Sequence, residues 1–521
     1  MITLRAIAQR TWPATISRLR LSFAGRVFVL ALVLRLLPVL LTARLGIGLD
    51  DMFQYDMLAR SLVAGNGYRW YAQPDLYTIS HYIQFDLSSV PYDPKGIPTS
   101  YRAPLYPAFL ALIYALSGLE WRFFAARLAQ ALLGATLAPL TYWIARRIAG
   151  TPRNSGELRG TYKAPRGPGV PLSLKEGNAE KLAALIVALY PWLVLFPLGL
   201  ATENLFTPLL ALAILALLRA GESSSLRDWA LAGVALGLAT LTRSIIVGFV
   251  PLAVLLVPKN RLRGGLILLG CVAALTLPWA YRNTRLHGQL TFVENNLGTN
   301  LYLGYHPQGT GTFQFGISLD LVPILDDAER NRRGIEAALG FIRDDPGRVP
   351  YLIVRKLGYF WGLEKRPFVY FYSNNYLGHW PDALLALALV GLCLPFVLLM
   401  PLAIIGALQP FSPSASTGNK QGARLLIALI LYFAGAYALI LAEERYHLPL
   451  IPFLAAFAAW GAAQVLGRKR QSSQRRSLWH PALALGLIAL LFLNWGLELH
   501  RDAPKLAAMF GPDGNRIGTD Y

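Results

Sequence analysis

Charged and hydroxyl side chains that could do chemistry stand at the ends of long apolar runs in this 521-residue sequence. The candidates are Asp50, Asp51, Arg102, Glu203, Arg243, Arg282, Arg445 and Tyr446. A charge near the centre of a membrane span costs about 2.5–3.5 kcal/mol on insertion scales. Because the span order places all eight residues at one membrane boundary, their joint occurrence predicts a functional site on that side.

Carboxylates and guanidiniums together suit a particular chemistry. A carboxylate can act as a general base on an acceptor hydroxyl, and Asp51 or its neighbour Asp50 could fill this role. A guanidinium can pair with a phosphate through two parallel hydrogen bonds. At a membrane surface that phosphate would belong to a lipid, so the pattern favours sugar transfer from a lipid phosphate.

Each of these residues also has a purely structural interpretation. An acid or an arginine at the end of a span is often solvated or extends to the membrane interface. Arg243 argues most strongly against this interpretation, because apolar residues surround it and a predicted span lies on each side. Arg35, inside the first apolar run, is instead expected to pair within the helical bundle or to reach the interface.

The composition indicates a polytopic membrane protein. Hydrophobic residues make up 55% of the chain and charged residues only 15%, against about 25% charged residues in ordinary soluble domains. The net charge is +20, but the basic residues cluster in short loops beside apolar runs, so they imply no nucleic-acid partner. The two cysteines, Cys271 and Cys393, lie in apolar runs and indicate neither a disulfide framework nor a thiolate metal site.

Eleven apolar runs predict an all-α protein with about eleven transmembrane helices, each needing about 20 residues to cross. The runs are 26–46, 123–146, 181–200, 204–220, 228–242, 244–258, 264–282, 382–407, 424–442, 446–466 and 480–498. The pair 228–242 and 244–258 is short and could form a hairpin of tight helices. Basic loops belong in the cytoplasm, which leaves the C-terminus outside. A further run, 103–118, would move the basic segment 146–181 outside if it crossed, so we expect a helix on or dipping into the outer leaflet.

The same pattern divides the chain into five parts. These are a cytoplasmic N-terminus (1–25), an N-terminal transmembrane module (26–282) with a first outer loop (47–122), a large extracytoplasmic loop (283–380), a C-terminal transmembrane module (381–500) and an extracytoplasmic tail (501–521). We expect an amphipathic helix over 50–62 and another helix near 326–344, within an otherwise mixed α/β or irregular loop region.

An ordered set of short motifs resembles a known family. The motifs are Asp51-Met-Phe-Gln-Tyr55 with Ala59, Gly65-Asn-Gly-Tyr68, Tyr101-Arg-Ala-Pro-Leu-Tyr-Pro107, Arg127-Leu-Ala-Gln, Thr202-Glu-Asn-Leu, Gly237-Leu-Ala-Thr-Leu-Thr-Arg243, Pro278-Trp-Ala-Tyr-Arg-Asn283, and Arg445-Tyr-His-Leu-Pro449 with Pro452. In this order, across most of the chain, they are similar to the GT-C glycosyltransferases. The resemblance is to the protein-mannosyltransferase/aminoarabinose-transferase-like superfamily (glycosyltransferase family 39-like) of bacterial membrane enzymes.

The resemblance implies a GT-C-like fold and an inverting sugar transfer from a polyprenyl-phosphate donor to a lipid, glycan or protein. The active site would face outward from the plasma membrane. The family's base corresponds to Asp51, with Asp50 as the adjacent alternative. Glu203 matches the family's acid between the third and fourth spans, and Arg102 matches the basic residue before the dipping helix.

Two departures from the family pattern concern acidic residues. The family often has Asp-Glu where this chain has Asp51-Met52, so Asp50 would have to replace the second carboxylate. Some relatives bind a metal through an acid where this chain has Tyr101. No cofactor is therefore certain and a divalent metal stays open; His81, His287 and His306 could be ligands, although their spacing is not that of a metal site.

The main alternative class is a membrane transporter or lipid flippase. Such proteins carry charged or broken helices near the bilayer midplane, often in two related halves. In this sequence the charges lie at one face and no halves are evident, while two large outer loops suit an acceptor site. The pattern therefore favours a glycosyltransferase.

Overall fold

The computed structural model describes residues 21–149, 178–223, 225–408, 417–467 and 479–518. Most of the predicted cytoplasmic N-terminus (1–25) and most of the basic segment 146–181 lie outside the described residues. The last three residues of the predicted tail also lie outside them.

Helices dominate the described residues, and the only paired strands among these are β1 (Arg69–Trp70) and β2 (Ile97–Pro98), which are antiparallel. The helices up to residue 287 are α1 (Phe23–Leu41), α2 (Asp51–Val63), α3 (Gln73–Ile79), α4 (Leu105–Ser117), α5 (Arg122–Ala135), α6 (Leu137–Ala149), α7 (Ala179–Leu189), α8 (Pro191–Leu195), α9 (Glu203–Ser223), α10 (Leu226–Thr240), α11 (Phe249–Leu256) and α12 (Arg261–His287). The remaining helices are α13 (Leu297–Tyr305), α14 (Phe315–Ser318), α15 (Asp327–Asp344), α16 (Arg348–Phe360), α17 (Arg366–Ser373), α18 (Asp382–Leu408), α19 (Thr417–Leu439), α20 (Ile451–Gly467) and α21 (Trp479–Met509).

The predicted class, an all-α polytopic membrane protein, is confirmed. Within the described residues eight helical stretches are long and apolar enough to cross a membrane. A ninth crossing results if the bent pair Ala179–Leu189 and Pro191–Leu198, which meet at 53°, forms one span. The bend falls at Tyr190–Pro191, because a proline cannot donate the backbone hydrogen bond that would continue α7.

The other two of the eleven predicted spans, 228–242 and 244–258, are shorter than a membrane crossing in the structure. Helix α10 has 15 residues, about 22 Å at 1.5 Å per residue, against a hydrocarbon core of about 30 Å. The apolar stretch Ser244–Leu256 is likewise a shorter apolar helix. The chain leaves the helical conformation at Arg243, whose backbone is extended (φ −148°, ψ 109°).

Helices predicted in the two long loops are present. The amphipathic stretch 50–62 forms α2, and the stretch 326–344 forms α15, which begins where the Asp326 carboxylate accepts a hydrogen bond from the Glu329 backbone at 2.8 Å. The run 103–118 forms α4, with only 13 residues. That length is too short for a crossing.

Small residues allow the C-terminal helices to pack closely. A Cβ atom built on Gly406 of α18 would lie 2.0 Å from the Phe457 carbonyl oxygen of α20, and one on Gly461 of α20 would lie 2.1 Å from the Leu402 carbonyl oxygen. Only glycine tolerates such backbone contact, as in many packed membrane helices.

Arg35 pairs within the bundle, as one of its two predicted alternatives stated. It is fully buried and donates to the carbonyl oxygens of Ala31 at 3.0 Å and Val187 at 3.2 Å. Arg35 therefore joins α1 to α7 rather than serving a site.

Contacts between the two long loops fix the segment that carries Arg102. The buried Asp327 carboxylate accepts hydrogen bonds from the Thr99 hydroxyl at 2.6 Å and the Ser100 backbone N–H at 2.7 Å. The Leu105 backbone N–H then donates to the Leu241 carbonyl oxygen at 2.9 Å. These bonds place the segment before α4 beside the end of α10, and so bring Arg102 towards Arg243.

Candidate active site

Asp50 and Asp51 open helix α2 at the start of the first long loop. The Asp50 carboxylate caps the helix by accepting a hydrogen bond from the Met52 backbone N–H at 2.8 Å, a role that aspartate commonly fills. Asp51 is the first residue of the helix. The cap thus fixes Asp50 and leaves the Asp51 carboxylate to interact with the rest of the chain.

Two guanidiniums hold the Asp51 carboxylate. Arg102 donates a short hydrogen bond from Nη2 to Oδ1, and Arg445 donates from Nη2 to Oδ2 at 3.2 Å. Arg102 is itself positioned by Gln54, whose amide oxygen accepts a hydrogen bond from Nε at 2.8 Å. The Asp51 side chain is still 34% exposed, so a ligand can reach it.

The adjacent carboxyls differ in pKa because their neighbours differ. Burial raises the pKa of Asp51, but the charges of Arg102 and Arg445 outweigh burial and lower it to about 2. Burial, and then the negative charge of Asp51, raise the pKa of Asp50 to about 6. Such a separation of two carboxyl pKa values is common where acid–base chemistry takes place.

Arg243 and Glu203 form a second, more deeply buried pair. The guanidinium Nη1 lies 2.5 Å from the Glu203 carboxylate, whose residue is 4% exposed. Arg243 also donates to the hydroxyls of Thr202 at 3.3 Å and Tyr437 at 3.1 Å. Glu203 is the first residue of α9, where a negative charge is favoured by the helix dipole.

The Tyr446 ring joins the two groups. The guanidinium carbon of Arg243 lies 5.2 Å from the ring centroid and that of Arg445 lies 5.6 Å from it. Both distances fall within the range of a cation–π contact. Arg445 also pairs with Glu443 at 2.8 Å, so this segment between α19 and α20 supplies three side chains to one cluster.

Arg282 stands apart from this cluster. Its guanidinium donates to the Thr99 carbonyl oxygen at 2.6 Å and lies 4.9 Å from the Trp279 ring centroid. It also contacts the Tyr68 ring at 5.8 Å, and the Tyr68 hydroxyl donates to the Arg102 carbonyl oxygen at 2.9 Å. Arg282 therefore reaches the cluster only through residues that position Arg102.

Three residues that the sequence did not single out as site residues also belong to the cluster. Gln54 binds Arg102, Tyr437 binds Arg243, and Glu294 accepts hydrogen bonds from the hydroxyl and backbone of Ser244, next to Arg243, at 2.5 Å and 3.2 Å. Glu294 had a usable signal, because it is the only acid between residues 283 and 319. Gln54 is uncharged, but it lies within the motif Asp51-Met-Phe-Gln-Tyr55, whereas Tyr437 carries no such signal.

The described residues do not fit a metal site. No group of three or more histidine, cysteine, aspartate or glutamate side chains among them could hold a metal ion. At the position where some relatives have an acid, the Tyr101 ring lies 5.2 Å from the Trp70 ring and 5.3 Å from the Arg102 guanidinium. His287 instead bonds the Ser100 hydroxyl at 2.7 Å.

Carboxylates and guanidiniums in this arrangement can bind an anion beside a base. Arg102 and Arg445 contact the partly exposed Asp51 carboxylate, and Arg243 lies against the same Tyr446 ring as Arg445. The forked donors of these guanidiniums match the oxygens of a phosphate. Asp51 can accept a proton from a group held next to that phosphate. The cluster thus has the parts that transfer of a group from a phosphate requires.

Comparison with known families gives a partial match. Residues 174–281 match the model of a family described as dolichyl-phosphate-mannose-protein mannosyltransferase. This segment contains Glu203 and Arg243, whereas Asp51, Arg102 and Arg445 lie outside it. No curated protein matches the chain significantly.

Two kinds of solved structure are similar to the chain. One is ArnT from Cupriavidus metallidurans bound to undecaprenyl phosphate, with 14% identity and a TM-score of 0.40, over 93% of this chain and 64% of that chain. Another is the Archaeoglobus fulgidus oligosaccharyltransferase in complex with Zn and sulfate, with 17% identity and a TM-score of 0.45, over 90% of this chain and 51% of that chain. The chain therefore spans less than two thirds of the length of either protein.

The resemblance predicted from the ordered motifs is confirmed by the family match. Residues 174–281 are therefore similar to the dolichyl-phosphate-mannose-protein mannosyltransferases.

Proposed function

We propose that this chain transfers a sugar from a polyprenyl-phosphate-linked donor to a hydroxyl of a lipid, glycan or protein at the extracytoplasmic face of the plasma membrane. The transfer inverts the anomeric centre, and Asp51 is the general base. The description of the matched family supports this donor class, because dolichyl phosphate mannose is a polyprenyl-phosphate sugar.

One observation carries the proposal: the partly exposed Asp51 carboxylate lies between the guanidiniums of Arg102 and Arg445. A site with a base and two forked cations can hold a phosphate and activate a hydroxyl next to it. The Glu203 and Glu443 side chains are only 3% and 9% exposed, whereas 34% of the Asp51 side chain is exposed, so Asp51 is the most accessible of these three acids to an acceptor.

Donor binding would make Asp51 a stronger base. With no donor bound, Arg102 and Arg445 hold the pKa of Asp51 at about 2. A carboxylate with so low a pKa accepts a proton poorly. A donor phosphate that accepts hydrogen bonds from the same guanidiniums offsets their positive charge, so that they stabilise the ionised form of Asp51 less. The pKa of the carboxyl then rises, because fewer positive charges stabilise its ionised form.

The chemical step is a single displacement. Asp51 accepts the proton of the acceptor hydroxyl while the hydroxyl oxygen bonds to the anomeric carbon. The bond from that carbon to the phosphate oxygen breaks, and the polyprenyl phosphate leaves with the electron pair. Arg102 and Arg445 stabilise the charge that develops on the leaving phosphate, and attack from the opposite side inverts the anomeric centre.

Arg243 and Tyr446 complete the donor site in this proposal. The Arg243 guanidinium is fixed by Glu203 and by two hydroxyls, so it is already oriented before the donor arrives. Pre-organised donors lower the reorganisation needed at the moment of reaction.

The test is sugar transfer by the purified full chain in proteoliposomes that contain both the polyprenyl-phosphate sugars and the lipid, glycan and protein acceptors extracted from host membranes. We expect free polyprenyl phosphate and a glycosylated product with inverted configuration. The double variant Arg102→Gln/Arg445→Gln should release almost no polyprenyl phosphate. The control Arg343→Gln changes an exposed residue of α15 and should release as much as the wild type. Intact lipids that cross the bilayer with no release would instead indicate a transporter or flippase and contradict the proposal.

A further inference from the structure

A second polar cavity lies beside the Asp51 cluster. It has a volume of about 480 Å³ and is enclosed by residues 308–317 of the second long loop, by α16 and α17, and by the end of α21. We call it the Lys365 cavity, after the buried one of the two lysines in its lining. Its volume falls within the roughly 300–1,000 Å³ of sites that bind small molecules.

Most of the charged residues that line the Lys365 cavity are basic. Only two acidic residues line it, Glu444 and Asp502, against five basic ones: Arg355, Lys365, Arg366, Arg501 and Lys505. Hydroxyl, amide and aromatic side chains make up most of the rest. Such a lining matches a ligand with an anionic group and several hydroxyls.

Buried contacts hold part of this lining in place. Lys365 is 2% exposed and pairs with Asp502 at 2.8 Å and, at a shorter distance, with Glu498. Arg366 donates to the Thr312 hydroxyl at 2.7 Å and the Phe313 carbonyl oxygen at 3.0 Å. These bonds fix the cavity wall before a ligand binds, which lowers the entropic cost of binding.

The two basic residues that the ligand would contact lie on different helices. Arg355 belongs to α16, where its guanidinium donates to the Tyr359 hydroxyl at 3.1 Å, and Lys505 belongs to α21. Both line the cavity. Neither belongs to the cluster around Asp51, so each can be changed without altering that cluster.

Neighbouring residues of one segment connect the cavity to the Asp51 cluster. Glu444 lines the cavity and accepts a hydrogen bond from the Arg366 backbone N–H at 2.5 Å. Arg445, the next residue, binds Asp51 instead. The residue that lines the cavity is therefore followed directly in the chain by the arginine that binds the proposed base.

We propose that the Lys365 cavity binds the phosphate-bearing saccharide part of the acceptor. The assignment to the acceptor rests on the proposed function, in which Arg102 and Arg445 receive the donor phosphate. The excess of basic residues binds the acceptor phosphate, and the hydroxyl, amide and aromatic side chains contact its sugar ring. A phosphorylated glycolipid headgroup and a soluble sugar phosphate share this chemistry.

The test measures binding, so it needs no sugar transfer. Glucose 1-phosphate, glucose and dihexanoyl phosphatidylglucoside, a short-chain lipid with a phosphate-linked glucose, are titrated into the purified full chain in a neutral detergent, and affinity is read by calorimetry. We expect glucose 1-phosphate to bind and glucose to bind far more weakly. Tighter binding of the phosphatidylglucoside would identify a glycolipid headgroup as the source of the phosphate, and tighter binding of glucose 1-phosphate would identify a soluble sugar phosphate.

Variants separate this cavity from the Asp51 cluster. The double variant Arg355→Gln/Lys505→Gln should weaken glucose 1-phosphate binding by about tenfold or more, as expected for lost charged hydrogen bonds. Arg343→Gln, which removes an exposed charge elsewhere on the second loop, and Arg243→Gln, in the other cluster, should each retain the affinity. Unchanged affinity in the double variant, or an equal loss in Arg243→Gln, would overturn the proposal even if the chain transfers sugar.

Discussion

Asp51 and Arg445 are 394 residues apart in the chain, yet Nη2 of Arg445 lies 3.2 Å from Oδ2 of Asp51. This contact joins the start of the first long loop to the segment between α19 and α20. It also leaves each group only partly covered, with 34% of both side chains exposed. The pair is both long-range and accessible to a ligand, and it is the basis of the first predictions below.

Replacing Asp51 by asparagine should abolish most of the sugar transfer. The amide keeps the size of the carboxylate but cannot accept the acceptor proton, so the rate should fall by about 10²–10⁴-fold, the usual contribution of a general base. The measurement is the single-turnover rate of transfer from a bound donor. Donor binding should remain, because Arg102, Arg243 and Arg445 are unchanged.

Asp50→Asn is the matched control for that variant. An asparagine also caps helices well, so α2 should keep its start and the transfer rate should fall much less than in Asp51→Asn. If Asp50→Asn proves to be the inactive variant and Asp51→Asn retains its rate, Asp50, whose pKa is raised to about 6, is the base and our assignment is wrong.

Arg243→Ala should both weaken donor use and destabilise the fold. The change leaves the Glu203 carboxylate buried without its cation, which typically costs about 3–5 kcal/mol. Arg243→Lys should recover only part of the activity, because lysine keeps the charge but lacks the planar fork. Transfer kinetics and thermal unfolding in detergent measure the two effects.

A second variant separates stability from donor binding at this position. Arg243→Gln/Glu203→Gln removes both charges, so the stability should return towards that of the wild type while donor use stays low. Recovery of both quantities would mean that Arg243 serves only to neutralise Glu203.

Stability should depend on pH through Asp50. Its pKa is raised from the ordinary 3.8 to about 6, so the folded chain holds this proton more tightly than the unfolded chain. The resulting contribution to stability is present below about pH 4 and is lost as the pH rises through about 6. The unfolding temperature of Asp50→Asn, relative to the wild type, should therefore increase between pH 4 and pH 7.

The contribution of Asp51 to stability should depend on pH in the opposite direction to that of Asp50. The pKa of Asp51 is lowered to about 2, so its contribution is present above about pH 4 and is lost only as the pH falls towards 2. Because the negative charge of Asp51 contributes to the raised pKa of Asp50, the stability of Asp51→Asn relative to the wild type should rise between pH 5 and pH 7, but by less than that of Asp50→Asn. A larger rise in Asp51→Asn than in Asp50→Asn would contradict the separate environments of the two carboxyls.

Cysteine labelling in whole cells should test which end of the bundle faces outward. A cysteine at Thr310, in the second long loop, should react with an impermeant thiol reagent after Cys271 and Cys393 are replaced by alanine. A cysteine at Pro258, exposed in a basic loop, should react only after the cells are permeabilised. The same protection is expected at Ser155, which lies outside the described residues. Labelling of Pro258 or Ser155 in intact cells would reverse the proposed orientation.

The sequence by itself determined the class of protein and the positions where charge gathers. Both follow from hydropathy. The hydrocarbon core accepts long apolar helices, and a charge inside it costs free energy however the helices are arranged. The helices α2 and α15 and the candidates at the helix ends could be found in this way, and the family resemblance was found from the ordered motifs. Hydropathy alone did not decide whether the runs 228–242 and 244–258 cross the membrane, because each is apolar enough for a span but contains only 15 residues.

Only the tertiary structure decided which charges meet. Arg102, Arg282 and Arg445 are equivalent in the sequence, since each is an arginine at the end of an apolar run, but Arg282 binds the Thr99 carbonyl while the other two bind Asp51. Glu294 enters the cluster through Ser244, and the Lys365 cavity forms from segments about 200 residues apart. Such pairings depend on how distant helices pack, because hydrogen bonds form only within about 3 Å, and spacing along the chain carries no record of that packing.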